Sequence, residues 1–326
     1  MASRTPKITA KIRVSKLKPL LYRWLAAILL SGVAVFWGFS TPNGFLKAAN
    51  MKVVDGLPAA PEDAASEHLR AAELLEGIPY DQSSESSPWN IDLDDRVRLV
   101  FEHGHGDCSY KSRALARVLQ LKRIPFRVIW IMDQFAISSG QGHTVVECPI
   151  EIPGFRGIAI IDMLEGGVPY SGNRPIRLDD LLGHEPIGGF RINSLNSRVD
   201  DSSVYYGDSL KNSVVGVSTS RDYAIYFGFL ERFHVNLGHP KLEKLVYNLG
   251  ASILGVFPSV YVTREEIQRY GGGFLLEIAI AKILIWAARL LALLALLDLI
   301  ARVAGAVHRG LRCDPPLRTT PPAPPP

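Results

Sequence analysis

Cysteine is scarce in this chain. Its three cysteines, Cys108, Cys148 and Cys313, are spread over 326 residues. A small domain that is held together by disulfides needs a larger, paired set, so this number excludes a disulfide framework as the basis of the fold. At least one thiol is therefore expected to be free.

A strong excess of one charge is also missing, because the net charge is only +4. The excess comes from the two ends of the chain, and the middle is nearly balanced. The terminal cations are Arg4, Lys7, Lys11, Arg13, Lys16 and Lys18 at one end, and Arg302, Arg309, Arg312 and Arg318 at the other. Basic tails favour contact with anionic lipid at a cytoplasmic membrane face, so no nucleic-acid partner is predicted.

Long apolar runs are present instead, in a chain whose hydrophobic content is 47%. Residues 20–39 carry one charge near their start and are long enough to cross about 30 Å of hydrocarbon. They predict a transmembrane helix, with the basic residues before it in the cytoplasm. A cleaved signal peptide is the alternative, because Gly38 and Ser40 resemble a cleavage site. The long basic segment and the flanking Trp24 and Trp37 favour the uncleaved anchor.

A second apolar run covers residues 274–300 and predicts another spanning helix. Four charges interrupt it: Glu277, Lys282, Arg289 and Asp298. Two crossings place both basic tails in the cytoplasm. Because Lys282 and Arg289 share a helix face, a helix lying in the membrane interface is the alternative. A third run at residues 245–262 contains Asn248, Gly250 and Pro258, and predicts buried core.

These runs divide the chain into five parts at a cell (inner) membrane with both termini cytoplasmic. The parts are a basic cytoplasmic tail (1–19), a transmembrane helix (20–39), an extracytoplasmic domain (41–273), a second transmembrane helix (274–300) and a basic, proline-rich cytoplasmic tail (301–326).

Alternating helical and strand patterns within the domain predict an α+β fold. Helices are predicted at 61–78, 92–104, from Cys108, at 177–182 and at 220–233, strands at 123–132, 143–148 and 157–163, and polar loop through the 190s to 210s.

The stretch whose residues are suited to catalysis begins at Gly104. Asp107 is suited to cap a helix that starts at Cys108, while Gly104 and Gly106 leave room for a substrate backbone. The N-terminus of a helix favours a thiolate through its unpaired N–H groups and dipole. A lone cysteine is more often a small buried apolar residue, so this position needs partners to be functional.

The predicted hairpin supplies such partners. A turn at Pro153 or Gly154 brings His143 opposite a residue within one or two of Asp162, with both side chains on one face. A carboxylate beside an imidazole holds it in one tautomer and keeps it basic. Cys148 lies on the opposite strand face and is expected in the core, and Glu147 is expected to be a surface charge.

Taken in order, Gly-x-Cys at a helix start, the "RIPFRV" turn into a strand, and His and Asp on successive strands resemble the transglutaminase-like superfamily, which has a papain-like core. The resemblance covers residues 94–167, although Val145 stands where an aromatic residue often follows the histidine. It implies an α+β core in which the cysteine helix packs on an antiparallel sheet. It also implies that Cys108 is the nucleophile, His143 the general base and acid, and Asp162 the residue that orients His143.

Other site residues are less specified by the pattern. The backbone N–H of Cys108 is expected to stabilise an oxyanion, with His103, His105 or Trp89 as the second donor, and His105 could instead flank the substrate groove. A zinc site formed by His103, His105 and Cys108 together with His143 matches no familiar closed spacing. An acidic helix start explains Asp92, Asp94 and Asp95 better than calcium does. No metal or cofactor is predicted.

The sequence thus predicts a membrane-anchored cysteine peptidase or amidase that forms a thioester acyl-enzyme on protein or peptide amides at the cell envelope. Transfer of the acyl group to an amine is one alternative. A catalytically silent peptide-binding module within a membrane assembly is another, and a scaffold that assembles through the Lys282 and Arg289 face is a third. The predicted partners are this substrate and the lipid bilayer.

Overall fold

The computed structural model describes residues 42–60, 69–70, 108–133, 142–164, 166–194, 203–233 and 240–312. Several sequence predictions concern residues outside these ranges. They are the helices at 20–39 and 92–104, the acidic cluster near Asp94, the two basic tails apart from residues 301–312, and Trp89, His103, His105, Asp107 and Cys313.

The described residues form a mixed α+β structure, as the sequence predicts. In chain order it begins with α1 (Pro42–Ala49), β1 (Met51–Val54), β2 (Leu69–Arg70), α2 (Cys108–Leu121), β3 (Arg127–Asp133), β4 (Gly142–Ile152), β5 (Phe155–Ile161), β6 (Gly167–Ser171) and β7 (Arg174–Pro175). It continues with α3 (Leu178–Leu182), β8 (Phe190–Ser194), α4 (Ser203–Tyr206), a 3-10 turn (Asp208–Asn212), β9 (Ser213–Thr219), α5 (Ser220–Arg232), α6 (Pro240–Leu254), β10 (Val260–Thr263), α7 (Arg264–Tyr270) and α8 (Gly272–Arg312).

A mixed sheet forms the centre of the fold. Its strands run in the order β1-β10-β9-β3-β4-β2, and β5 also pairs with β4. The neighbours from β10 to β4, and the β4–β5 pair, are antiparallel, whereas β1 and β2 run parallel to their partners. A smaller sheet has the order β7-β6-β8.

Both faces of the central sheet are buried, and β3 shows why its sequence is apolar throughout. Val128, Trp130 and Met132 belong to the apolar cluster that the helices α2 and α5 cover. Ile129 and Ile131 alternate with them and belong to a second cluster, which includes residues of α3 and α4. A strand that is covered on both sides reads as a continuous apolar run.

The hairpin of β4 and β5 has the predicted geometry. Its turn lies at Pro153 and Gly154, and Val146 pairs with Ile161. Continuing that register places His143 opposite Leu164, two residues from Asp162. The hairpin and its approximate register are therefore confirmed.

Two local predictions were wrong. Leu69 and Arg70 are not helical but pair in parallel with the end of β4, at Ile150 and Glu151. The 190s to 210s contain β8, α4 and the 3-10 turn rather than a continuous loop. Contacts with distant strands and with the small sheet determine these conformations, so local sequence gives no sign of them.

Arg113, Arg117 and Gln120 mark one polar face of α2, which the sequence pattern predicts to be exposed, and this prediction is wrong for Arg117. Arg117 is only 6% exposed. It pairs with Glu231 of α5, and its guanidinium lies 5.5 Å from the ring centre of Phe227. The arginine is buried because α5, more than one hundred residues later in the chain, packs on that face.

The long helix α8 changes character along its length. Phe274, Ile278, Ala281 and Ile285 are buried in the core that the sheet and helices share. A compact unit ends at Ile285, and residues from Trp286 onwards belong to a second unit. The domain thus extends beyond the boundary predicted at residue 273.

Beyond Ile285 the large apolar side chains of α8 are exposed. They are Trp286, Leu290, Leu293, Leu294, Leu296, Leu297, Leu299, Ile300, Val303 and Val307. Among the described residues, α8 is the one helix that is long and apolar enough to cross a membrane, judged by length and composition. The run at 245–262 instead forms parts of α6 and β10, where Tyr247 and Ala251 are buried, which confirms its prediction as core.

The burial of the α8 start predicts that the domain fails to fold without it. We compare two chains that begin at residue 41 and end at residue 271 or at residue 288. Removing Phe274, Ile278 and Ile285 forfeits about 5–9 kcal/mol at 1.5–3 kcal/mol for each buried side chain. That loss matches the entire stability of many domains. Urea unfolding followed by tryptophan fluorescence should be cooperative only for the longer chain, and equal transitions in both would contradict this division of α8.

Candidate active site

Cys108 is the first residue of α2 and is half-buried. One turn later, the hydroxyl of Ser112 donates to the carbonyl oxygen of Thr144 at 2.8 Å. Thr144 follows His143 in β4, so this buried hydrogen bond ties the cysteine helix to the histidine strand. The Cys108 Sγ lies 3.9 Å from the carbonyl oxygen of Gly142, which precedes the histidine.

Gly142 makes this close approach possible. Its φ angle is +147°, and a Cβ atom built there would lie 2.6 Å from the carbonyl oxygen of Ile131. That separation is too short for any side chain, and the φ angle also favours glycine. A glycine is therefore required immediately before the histidine, where β4 begins next to β3.

His143 and Asp162 form a pair without solvent contact. The Nε2 atom of His143 lies 2.7 Å from Oδ2 of Asp162. The side chains of both residues are fully buried. The other carboxylate oxygen, Oδ1, accepts a hydrogen bond from the backbone N–H of Leu164 at 3.0 Å. The predicted neighbours His143 and Asp162 are thus brought together by the hairpin and the turn after it.

The pair is expected to carry two opposite charges at neutral pH. Burial alone would lower the pKa of His143, but the charge and hydrogen bond of Asp162, with a smaller effect of Cys108, raise it to about 10. Burial alone would raise the pKa of Asp162, but His143 and the hydrogen bonds from His143, Tyr206 and Leu164 lower it. An imidazolium beside a carboxylate is therefore the ground state.

The second ring nitrogen of His143 is left for the thiol. Its Nδ1 atom is buried and has no hydrogen bond of regular geometry within the described part of the chain. Cys108 nevertheless lies close enough for its hydrogen bond and charge to raise the His143 pKa. Since Nε2 is held by Asp162, Nδ1 is the ring nitrogen that is left for a proton of the nearby thiol.

Two adjacent tyrosines of α4 complete this site, and the sequence prediction missed both. The ring of Tyr205 stacks on His143 with centres 4.5 Å apart and planes 13° apart. The hydroxyl of Tyr206 donates to Oδ2 of Asp162 at 2.8 Å. The only sequence signal is a pair of aromatic residues within the polar run "DDSSVYYGDS". Burial, together with Cys108 and Asp162, raises the pKa of Tyr205, so its phenol is neutral at pH 7.

Glu147 was expected on the surface, and this was wrong. Its side chain is fully buried and pairs with Arg127 through Nε at 2.8 Å and through Nη2. Its second oxygen accepts the backbone N–H of Leu178 at 2.9 Å. Because Arg127 also donates to the carbonyl oxygen of Pro58 at 3.0 Å, this acid joins separate segments of the fold.

Two further residues provide a contrast with the site. Cys148 is fully buried, as predicted, and burial with the Glu147 charge raises its pKa far above that of an ordinary thiol. His184 forms another buried pair, with Glu266 on Nε2 and the carbonyl oxygen of Leu210 3.2 Å from Nδ1. Both nitrogens of His184 are occupied by oxygen acceptors, so that ring has no nitrogen left to serve a nucleophile.

The His143–Asp162 pair predicts a specific pH dependence of stability. Because the His143 pKa is raised, the contribution of His143 to the stability of the fold is complete below the unfolded pKa of 6.5. This contribution disappears as pH rises through about 10. Because the Asp162 pKa is lowered, the contribution of Asp162 to stability is present above the unfolded pKa of 3.8. It is lost as pH falls through the lower pKa of the folded state. Breaking a buried pair costs about 3–5 kcal/mol. Asp162→Asn should therefore destabilise the full chain by about 3 kcal/mol near pH 6 and far less near pH 10.

Denaturant unfolding of the detergent-solubilised chain at pH 5, 6, 8 and 10 measures this difference. Ser218→Ala is the control, because it removes the uncharged hydrogen bond from Trp130 Nε1, 3.0 Å long, and should cost the same at every pH. A constant cost for Asp162→Asn over the same range would show that the pair is not ionised.

The described residues hold no group of three or more His, Cys, Asp or Glu side chains arranged as metal ligands. No family model, no curated protein and no solved structure matches this chain. The chemistry of the site must therefore be argued from its own geometry.

Proposed function

We propose that the chain is a membrane-anchored cysteine hydrolase, a peptidase or amidase similar to the transglutaminase-like enzymes. One arrangement carries the proposal: a thiol at a helix start lies near an imidazole whose Nε2 is bound to a buried carboxylate, so that Nδ1 is left for the thiol. A ring whose nitrogens serve these two partners can hold the proton that a thiol gives up, and a cysteine nucleophile requires this. Both ring nitrogens of His184 face oxygen acceptors, so that histidine has no nitrogen left to take a proton from a thiol.

The reaction would begin with the thiolate of Cys108 and the imidazolium of His143. The sulfur attacks the carbonyl carbon of an amide, and the carbonyl electrons move onto oxygen. As the C–N bond breaks, Nδ1 of His143 donates its proton to the departing amine, which leaves a thioester on Cys108. The neutral imidazole then takes a proton from water, whose oxygen attacks the thioester, releases the carboxylic acid and restores the ion pair.

The charge that develops on the carbonyl oxygen needs hydrogen-bond donors. The backbone N–H of Cys108 lies at the first residue of α2, where helix N–H groups lack intrahelical partners and the helix dipole favours an anion. We assign it as one donor. His105 and Trp89 remain the sequence-based candidates for the second donor or for the substrate groove, and they lie outside the described residues.

Asp162 keeps the base charged and fixes its ring. With Nε2 bound to Asp162, rotation of the imidazole would break a buried hydrogen bond of 2.7 Å, so the orientation of Nδ1 is fixed as well. Tyr205 covers one face of the ring. Together these contacts supply orientation and exclude water, which are two conditions for efficient acyl transfer.

The apolar part of α8 supports membrane attachment. Its exposed side chains from Trp286 to Val307 would be costly in water and would be buried in hydrocarbon. We propose that this segment spans the membrane, together with residues 20–39, and that the domain faces the outside while both tails lie in the cytoplasm. The substrate would then be a protein or peptide at the cell envelope.

The pairing of thiol and imidazole predicts rapid alkylation of Cys108 at a pH where ordinary thiols react slowly. The full chain, with Cys313→Ser, is treated with iodoacetamide at pH 6, and peptide mass mapping follows the rate at Cys108. His143→Gln should lower this rate about tenfold or more, because an unassisted thiol with a pKa near 8.5 is almost entirely protonated there.

His184→Gln is the matched control, since it alters a buried histidine–carboxylate pair that does not contact the thiol, and its rate should stay within about twofold of the parent. Cys148 should remain unmodified until the chain is unfolded in urea. Equal rates at Cys108 in the parent and in His143→Gln would refute the proposed nucleophile–base pair.

Acyl transfer itself predicts a thioester on Cys108. An activated ester such as p-nitrophenyl acetate should acetylate Cys108, and hydroxylamine should remove the adduct. Cys108→Ala should abolish the adduct and His143→Gln should slow its formation. Adding a fluorescent primary amine distinguishes the two outcomes: hydrolysis leaves the amine free, whereas a transferase converts it to an amide. An intact domain that forms no adduct would favour the peptide-binding alternative.

A further inference from the structure

Tyr206 occupies an unusual place for a tyrosine in a short helix. It is fully buried, and its hydroxyl lies 2.8 Å from Oδ2 of Asp162. The same oxygen is bonded to Nε2 of His143 at 2.7 Å. One carboxylate oxygen thus accepts from both the histidine and the tyrosine, while the other oxygen accepts from the backbone of Leu164.

The surroundings of Tyr206 hold its ring in this position. Its ring stacks on Phe190 of β8, with centres 4.7 Å apart and planes 21° apart. Its backbone carbonyl accepts the N–H of Ile187 at 3.0 Å. The ring also stands edge-on to His143, at 81° and 6.1 Å between centres. The phenol is therefore fixed on the side of the small sheet and meets the carboxylate from a direction that neither β4 nor β5 supplies.

A neutral phenol beside a carboxylate can only donate its proton in the hydrogen bond, and a charged acceptor makes that bond strong. The bond favours the ionised carboxylate over the acid. It also blocks rotation of the carboxyl group, since each oxygen then has its own fixed donors. A carboxylate that is ionised and fixed can hold Nε2 of the imidazole and leave Nδ1 directed to Cys108.

We propose that Tyr206 is a positioning residue of this site, which acts through Asp162 to keep the imidazole of His143 charged and aimed at the thiol. The assignment rests on the proposed function. It gives the region after residue 167 a role, because β8 and α4 bring the donor that the Cys108, His143 and Asp162 segments lack. Tyr205, the preceding residue, covers the face of the same imidazole.

The test is the ratio of the Cys108 alkylation rate at pH 6 to that at pH 9, measured in the full detergent-solubilised chain with Cys313→Ser. A ratio cancels differences in access to the thiol and reports the pH dependence alone. Tyr206→Phe keeps the ring and removes only the hydroxyl, and should lower the ratio about fivefold to tenfold. This is equivalent to a shift of somewhat less than one pH unit in the pH dependence of alkylation.

Tyr226→Phe is the matched control. Tyr226 is also buried, and its hydroxyl donates to Oδ1 of Asn248 at 2.8 Å, the same length as the bond in question. It belongs to α5, and this bond joins α5 to α6, which carries Asn248. The control removes a comparable buried hydrogen bond from the fold, and its ratio should equal that of the parent chain.

The possible failures can be told apart. If His143→Gln lowers the ratio but Tyr206→Phe does not, the role of Tyr206 is refuted and the proposed function stands. If both tyrosine variants lower it equally, the effect is general loosening of the fold and the assignment is again refuted. If His143→Gln leaves the ratio unchanged, the proposed function fails and the assignment fails with it.

Discussion

The buried pair of His143 and Asp162 is the interaction on which the rest of the site depends. An ionised group that leaves water is very costly unless other groups of the protein satisfy it. Both oxygens of Asp162 are satisfied, by Leu164 on one and by His143 and Tyr206 on the other. These donors come from three separate segments of the chain. The charge can therefore exist only when the hairpin, the turn after it and the helix α4 are all in place, which links the chemistry to completion of the fold.

A second buried pair fixes the register that the first one needs. Arg127 stands directly opposite Glu147 in the β3–β4 ladder, where the two side chains form an ion pair. A shift of one residue would separate these charges and turn every side chain to the other face of the sheet. With the pair intact, Ile131 lies opposite His143, and the carbonyl of Ile131 is the group that makes a glycine necessary at position 142. The ion pair thus secures the strand alignment that places the histidine beside the start of the cysteine helix.

Local patterns predicted the parts of this structure that depend on neighbours in sequence. The helix start at Cys108 and the β4–β5 hairpin follow from capping, turn and alternation rules, and the hairpin is what brings His143 near Asp162. Tyr206 could not be found in this way, because its partner Asp162 is 44 residues away and the intervening chain forms a separate sheet. The same reason explains Arg117 and Glu147. Charge predicts exposure only where no distant element supplies a counter-charge, and here α5 and β3 supply one.

The helix α8 shows a different limit of sequence patterns. Residues 274–285 and the residues that follow are both strongly apolar, so one long hydrophobic run, despite its four charges, predicts a spanning helix from its first residue. The structure divides the run by burial: Phe274, Ile278, Ala281 and Ile285 recur at intervals of three or four, as expected for a helix with one face in a protein core, whereas exposure is general after Trp286. Hydropathy does not distinguish a protein interior from lipid, because each accepts the same side chains. Since α8 supplies core residues, the apolar helix has a role in folding that is separate from the proposed anchoring, and removal of the whole helix would remove both.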